Sequence, residues 1–461
     1  MRTLLVLSLL CGLAHPARGQ DALPPELAAK VDAAVAAALK KSGAPSASIA
    51  VVKDGRLAYA HAYGLSNVER NTAATPAMRY SIGSISKQFA ASAVLMLAEE
   101  GKLSLDDRVG AFLPDLTRAN DVTVRQLLSM TSGYQDYWPQ DYVMPGMLEP
   151  TTPEKIVAQW ARIPLDFEPG TTWQYSNTNY VIVGLIVQKV AGMPLFDFLQ
   201  QRVFTPLGMA SIQNIDEAGL GPADAARYMR FATSPVRPAP KEGRGWIFAA
   251  GELAMTASDL AKWDISMIDK TVLKPSSYQA LETEVLLASG VGTGYALGVS
   301  VSREAGGHRR VAHSGEVSGF TAQNLVYPDD RIAVVVLTNL DATDASGQAA
   351  SAIASLLLAP AQASGPTDQA RTILAGLQHG QVNRTLFSDN ANFYFSKQAL
   401  ADLAASLGPL GPPTAVEQTA TGLRGGMTFR SFKVTFPKAA FSIVTFTLPD
   451  GKLEQFIVRP E

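Results

Sequence analysis

Ser84-Ile85-Ser86-Lys87 sets a hydroxyl and an amine three residues apart. On a helix those two positions share one face, so the Lys87 nitrogen can reach the Ser84 oxygen and take its proton. This is one way to build a nucleophile without a histidine. At the start of a helix, unpaired N–H groups and a partial positive charge also favour an oxyanion beside the serine. The pattern Ser-x-x-Lys occurs once in the chain, and the segment after it, Phe89 to Ala98, is apolar nearly all round. Such a helix is buried in a larger protein. A lysine near its start gives up its proton more readily than one in water, as a lysine base must.

A second candidate is Tyr175-Ser176-Asn177, preceded by Glu168-Pro169-Gly170. A tyrosine and an asparagine two apart in a loop can point into one cleft. A tyrosine near ammonium groups has a lowered pKa and can act as a base, then return the proton to a leaving group. The Asn177 amide can hold a substrate carbonyl or amide. The third is His313-Ser314-Gly315, at the end of an apolar run. A strand ending in glycine lets a substrate backbone lie alongside. The next N–H, from Glu316, can pair with that of Ser84 as an oxyanion hole.

In order along the chain, S-x-x-K, Y-x-N and H-S-G resemble the serine β-lactamase and penicillin-binding-protein superfamily. The resemblance covers roughly residues 25–358 and includes Thr123 to Gly133, Ala249 to Leu260 and Gly315 to Phe320. The tyrosine form of the second motif is similar to the class C β-lactamase, DD-peptidase, D-aminopeptidase and esterase branch. The resemblance implies that Ser84 is the acylated nucleophile, that Lys87 takes or shares its proton and that Tyr175 relays it to the leaving group. Asn177 would position the substrate. His313 and Ser314 would line the opposite wall, with Gly315 and the Glu316 N–H beside the oxyanion. Which of Lys87 and Tyr175 is the base stays open.

Class C β-lactamases usually carry Lys-Thr-Gly where this chain has His313-Ser314-Gly315. A histidine is mostly neutral at pH 7, so the anchor for a substrate carboxylate is missing. The expected activity is therefore that of an exported serine hydrolase acting on an amide or ester, of DD-peptidase, D-aminopeptidase or esterase type. The alternatives are a class C-like β-lactamase or a β-lactam-binding sensor without turnover. Glu316, if it points inward, attracts an amine. Met130 stands where many relatives have His, and the sequence offers no reading of it. No cofactor and no metal ligand set is expected.

These residues need elements to position them. Residues 25–41 read as an amphipathic helix, and Ser46–Val52 and Leu57–Tyr63 as strands joined across Asp54-Gly55, a hairpin signal. The Ser84 helix ends near Gly101, and a second apolar helix covers Val181–Val187. Residues 102 to about 265 read as helices and loops. Strands return at Tyr295–Val301, Val311–His313, Ala322–Tyr327 and Ile332–Leu337, before a final helix at Ala350–Leu358. The fold class is α+β: an antiparallel sheet closed by both ends of the domain and flanked by helices, with a helical region between. Residues 359–367 read as a Pro/Ala/Ser/Gly linker. The domain at 368–461 has two helices (Gln369–Gln378, Lys397–Leu407), then strands at Phe429–Phe436, Phe441–Leu448 and Leu453–Val458. It resembles a nuclear-transport-factor-2-like (SnoaL-like) cone and is expected to be a scaffold or homodimerisation module.

The chain has 461 residues and a net charge of −2, so nothing advertises nucleic acid or an anionic membrane. The expected partner is a small-molecule or peptide substrate, with peptidoglycan a candidate. Arg2, the apolar run Leu4–Ala14 and Ala17-Arg18-Gly19 form the three parts of a secretory signal peptide over 1–19. This implies a periplasmic or secreted protein, with a β-lactamase-like domain over 20–358. Cys11, the single cysteine, lies inside that segment, so the mature chain has no disulfide and no thiolate chemistry. Beyond it no run reaches the roughly 18 apolar residues that span a bilayer.

Overall fold

A computed structural model of the protein describes residues 23–304, 307–358 and 365–460. The expected signal peptide, 1–19, and most of the expected linker, 359–364, lie outside the described residues. The chain divides into two compact units, the first running to Leu358 apart from residues 303–307.

In the first unit, helix α1 (Pro25–Ser42) buries Val31, Val35 and Ala38 and stops at Gly43, whose left-handed backbone (φ 74°) caps it. Strands β1 (Ser46–Lys53) and β2 (Arg56–Asn67) follow. Between them Asp54 and Gly55 both take positive φ, the requirement of a tight hairpin turn whose twist matches the strands. With β3 (Thr72–Ala73), β4 (Ser300–Arg303), β5 (Arg309–Val317), β6 (Phe320–Tyr327) and β7 (Ile332–Thr338) they form a seven-stranded sheet, ordered β3-β2-β1-β7-β6-β5-β4. β1 pairs antiparallel with β7, Ala47 opposite Thr338, so the two ends of the unit close one sheet.

Ser46 to Val52 are all buried, because both sheet faces are covered. On one face Ile49, Val51, Val334 and Val336 pack with Val31, Val35, Ala350 and Ile353 of α1 and α5 (Ala345–Leu357). On the other, Ala50, Val52, Ala333, Val335 and Leu337 join the main core. That core contains α2 (Ser86–Glu99), α3 (Asn177–Ala191) and α4 (Ala257–Asp269). Residues Ser86 to Leu97 of α2 are buried without exception. No single described helix is long and apolar enough to cross a membrane.

Several boundaries move. Ser84 sits on a one-turn 3₁₀ helix, Gly83–Ile85, just ahead of α2. The strand expected from Tyr295 begins only at Ser300, because Gly298 (φ 80°) turns the chain and Ala296 N–H bonds back to Val299. The last helix of the unit starts at Ala345.

In the second unit, α6 (Pro366–Gln378), α7 (Asp389–Tyr394) and α8 (Lys397–Leu407) precede a four-stranded antiparallel meander. Its strands are β8 (Ala415–Arg424), β9 (Met427–Phe436), β10 (Ala439–Thr447) and β11 (Leu453–Pro460). Helix α6 begins inside the expected linker. β8 escaped the sequence reading because only Val416 along it is buried, so it lacks the alternation that marks a half-buried strand. Ile373, Leu374, Leu377, Phe432, Val434 and Ile443 give this unit a core of its own.

Candidate active site

The Ser84 turn is fixed by a short second sheet. Tyr80–Ser81 pairs with Leu253–Met255, Ile82 N–H donates to the Leu253 carbonyl at 3.0 Å and Leu253 N–H donates to Ser86 Oγ at 3.2 Å. This seats Ala249-Ala250-Gly251 behind the nucleophile. Lys87 is fully buried. Its Nζ donates to Ser84 Oγ at 2.9 Å, to Asn177 Oδ1 at 2.8 Å and to the Ala250 carbonyl at 2.8 Å. Burial pushes the Lys87 amine down to about 7, against the upward pull of the Asp136 carboxylate. Near neutrality a large share of Lys87 is therefore a free amine aimed at the serine.

Tyr175 departs from the sequence reading. Its ring lies 5.0 Å from Lys87 Nζ, yet its pKa goes up. Burial dominates, and a hydrogen bond with Ser84 only partly offsets it. A desolvated phenolate costs more than one nearby amine returns. Tyr175 is a phenol at neutral pH, able to give a proton rather than to take the first one.

Asn177 opens α3, and its side-chain oxygen accepts from Lys87. Its backbone N–H donates to Asp136 Oδ1 at 3.0 Å and its Nδ2 to Asp136 Oδ2 at 3.3 Å. His313 lies on β5, buried, with its ring 6.2 Å from that of Tyr175. Nδ1 meets the Ser314 carbonyl. That oxygen can only accept, so Nδ1 carries the proton. Nε2 then accepts from the Tyr295 hydroxyl at 2.9 Å. Burial and the nearby Lys87 push His313 down to about 4. Neutral and with both nitrogens committed, it is a wall that holds Tyr295 and the strand.

Gly315 and Gly83 bring two backbones into contact. A Cβ on Gly315 would stand 1.9 Å from the Ile82 carbonyl oxygen and 3.2 Å from Ser84 N; one on Gly83 would stand 2.7 Å from Glu316 N. Only glycine permits this approach, and it sets the Ser84 and Glu316 amides beside one another. The Glu316 side chain accepts the Ala342 N–H at 2.8 Å. Burial and the charges of Asp141 and Asp341 push its pKa up.

In front of Ser84 lies a cavity of about 440 Å³, also lined by Tyr175, Asn177, His313, Ser314 and Glu316. Its other walls set Tyr137, Trp138, Tyr142 and Ile247 against Asp136, Asp141 and Asp341; no Lys or Arg is among its lining residues. The eight residues singled out in the sequence thus meet at one place. Asp136, Tyr295 and the aromatic loop 137–142 were missed. Asp136 belongs to no spaced motif, and Tyr295 read as a strand residue.

The chain matches the Beta-lactamase family over residues 31–358. It is 28% identical to "Protein flp" of Staphylococcus aureus (strain MRSA252) over 328 residues, 68% of this chain and 63% of that one. It is 28% identical to a D-aminopeptidase of Brucella anthropi over 308 residues, 64% of this chain and 56% of the relative. It therefore spans less than two thirds of the length of either. A D-stereospecific amidohydrolase from Streptomyces sp. has a similar structure, with TM-score 0.61 and 27% identity, covering 70% of this chain and 96% of that one. With its matched segment carrying the nucleophile turn, the Tyr175 loop and the His313 strand in the family's order, the chain belongs to the Beta-lactamase family.

Proposed function

We propose that the protein is a serine hydrolase that cleaves amides or esters through a Ser84 acyl-enzyme and prefers an acyl group bearing a free amine. The observation that carries this is the cavity's charge: four carboxylates, Asp136, Asp141, Glu316 and Asp341, with no cation among the residues that line it. Such a wall attracts an ammonium and repels the carboxylate of a penicillin. The names of two relatives, a D-aminopeptidase and a D-stereospecific amidohydrolase, support the same class. DD-peptidase action would need the stem-peptide carboxylate to sit away from these acids.

Lys87, as the free amine, takes the Ser84 proton while Oγ attacks the carbonyl. The amides of Ser84 and Glu316 are set to receive the oxyanion. Tyr175 gives its proton to the leaving nitrogen and regains one from the Lys87 ammonium. In deacylation the same pair takes a proton from water and returns it to Ser84. Asn177 and Asp136 hold Lys87 in register. Ser314 and Gly315 form the wall along which the substrate lies.

The test compares D-alanine p-nitroanilide, its N-acetyl derivative and a penicillin on wild type and Ser84→Ala. Release of nitroaniline from the free amine, at least roughly tenfold above the acetylated compound and absent in Ser84→Ala, is expected. Equal rates would end the amine reading. Fast turnover of a penicillin adduct on Ser84 would favour the β-lactamase, and a lasting adduct without anilide turnover the sensor.

We also propose export, on the three-part leader over 1–19. Its mark would be a mature chain beginning at Gln20. For the second unit the nuclear-transport-factor-2-like reading rests on helices followed by a sheet, and a scaffold or dimer role goes with it.

A further inference from the structure

The geometry points to Met130 as a positioning residue for Tyr175, acting through the sulfur of its side chain. This rests on the proton-donor role proposed for Tyr175. Met130 is fully buried and holds a left-handed backbone, φ 62°, a conformation that a bulky residue adopts only where its surroundings enforce it. Turned this way, it grips the Tyr175 loop on both sides. The Met130 carbonyl accepts the N–H of Gln174, one residue before Tyr175, at 3.0 Å. Its Sδ accepts the N–H of Ser176, one residue after, at 3.5 Å. The same sulfur accepts Asn179 Nδ2 at 3.7 Å, and the Asn179 oxygen is fixed by the Ser132 hydroxyl at 2.6 Å.

The sulfur takes the Ser176 N–H, which in a capping box the side chain at the third helical position, here Asn179, would accept. Ser176 is the N-cap of α3, but its side chain caps nothing, and its Oγ is buried without a partner. Among the described residues the Ser176 amide donates to the thioether alone. A thioether is a weak acceptor, and a leucine of similar volume would offer none. The buried N–H would then pull the loop toward another acceptor and carry the Tyr175 hydroxyl away from Ser84. A misplaced donor matters in proportion to the leaving group's need for a proton. An amide needs one; a nitrophenolate does not.

The experiment measures kcat for an alkyl amide and a p-nitrophenyl ester of the same D-amino acid in wild type, Tyr175→Phe, Met130→Leu and Met130→Gln. Tyr175→Phe is expected to lower the amide rate at least tenfold and to spare the ester. Met130→Leu is expected to repeat that split more weakly, about three- to tenfold on the amide. Met130→Gln, whose amide oxygen can accept the Ser176 N–H, is expected to recover most of it. The ester rate doubles as the measure of intact folding. If Met130→Leu lowers both substrates alike, or neither, the sulfur serves the fold alone and the proposal is overturned, while the Tyr175 split stands. If Tyr175→Phe shows no split, the donor role itself fails and the Met130 proposal falls with it.

Discussion

Lys87 owes its chemistry to what surrounds one nitrogen. Three acceptors hold it, its side chain is buried, and burial takes the amine down to about 7 while Asp136 pulls the other way. The reaction should therefore switch on as pH rises through about 7, as the amine loses its proton. Removing the negative charge at Asp136 withdraws a charge that favours the ammonium, so Asp136→Asn should move this rise to lower pH. The profile of kcat/KM on an uncharged ester shows it without involving amine recognition; a shift to higher pH would refute the account. The sequence announces Ser84 and Lys87 because their partnership is local, three residues apart where a 3₁₀ turn runs into α2. It is silent on Asp136, which reaches Asn177 from 41 residues away, and it misjudges Tyr175, since burial is a property of the folded cavity.

At the level of elements, the proposed oxyanion site rests on β5 and the Ser84 turn touching backbone to backbone. Gly315→Ala would place a methyl 1.9 Å from the Ile82 oxygen, and neither main chain can yield without separating the Ser84 and Glu316 amides. Loss of one such donor costs on the order of 10²–10³ in kcat, so the variant should turn over at least about a hundredfold more slowly; wild-type turnover in a folded Gly315→Ala variant would refute this placement. Near-ultraviolet circular dichroism would establish that the variant is folded. The strands that frame the site were legible where turn chemistry is local, as at Asp54-Gly55, and where both faces are buried, as in β1 and β7. They were misread where a single glycine decides, as at Gly298, whose turn sends Tyr295 toward His313 rather than along a strand.

The whole molecule stores charge unevenly between its two units. The first buries Asp264 and Glu252 completely, and desolvation pushes each carboxyl up to about 8. Asp264 accepts the Asn324 amide at 2.8 Å on both oxygens; Asn324 lies opposite His313 in the sheet and also accepts from Gln88 at 3.1 Å. Among the described residues of the second unit no Asp, Glu, Lys or Arg is buried. An acid whose folded pKa lies above its unfolded value, about 4, stabilises fully below that value and loses its contribution as pH rises through the folded pKa. Lys87 has the opposite sign, but its window opens only above about 7, where the folded amine has already shed its proton and the unfolded one has not. Between pH 5 and about 6.5 His313, down to about 4 in the fold, opposes them, because its unfolded ring holds a proton that the folded one has shed; the two acids outweigh this one group. Calorimetry should accordingly resolve two transitions, since each unit has its own core, with the transition of the first unit falling in temperature across that range and the other holding nearly still. Asp264→Asn keeps one acceptor for Asn324 but cannot titrate. It should lower the first transition at pH 5 and flatten its descent, so that the gap to wild type narrows by pH 7. A gap that stays constant with pH would mean that Asp264 is already charged in the folded protein, with the Asn324 amide compensating for its burial.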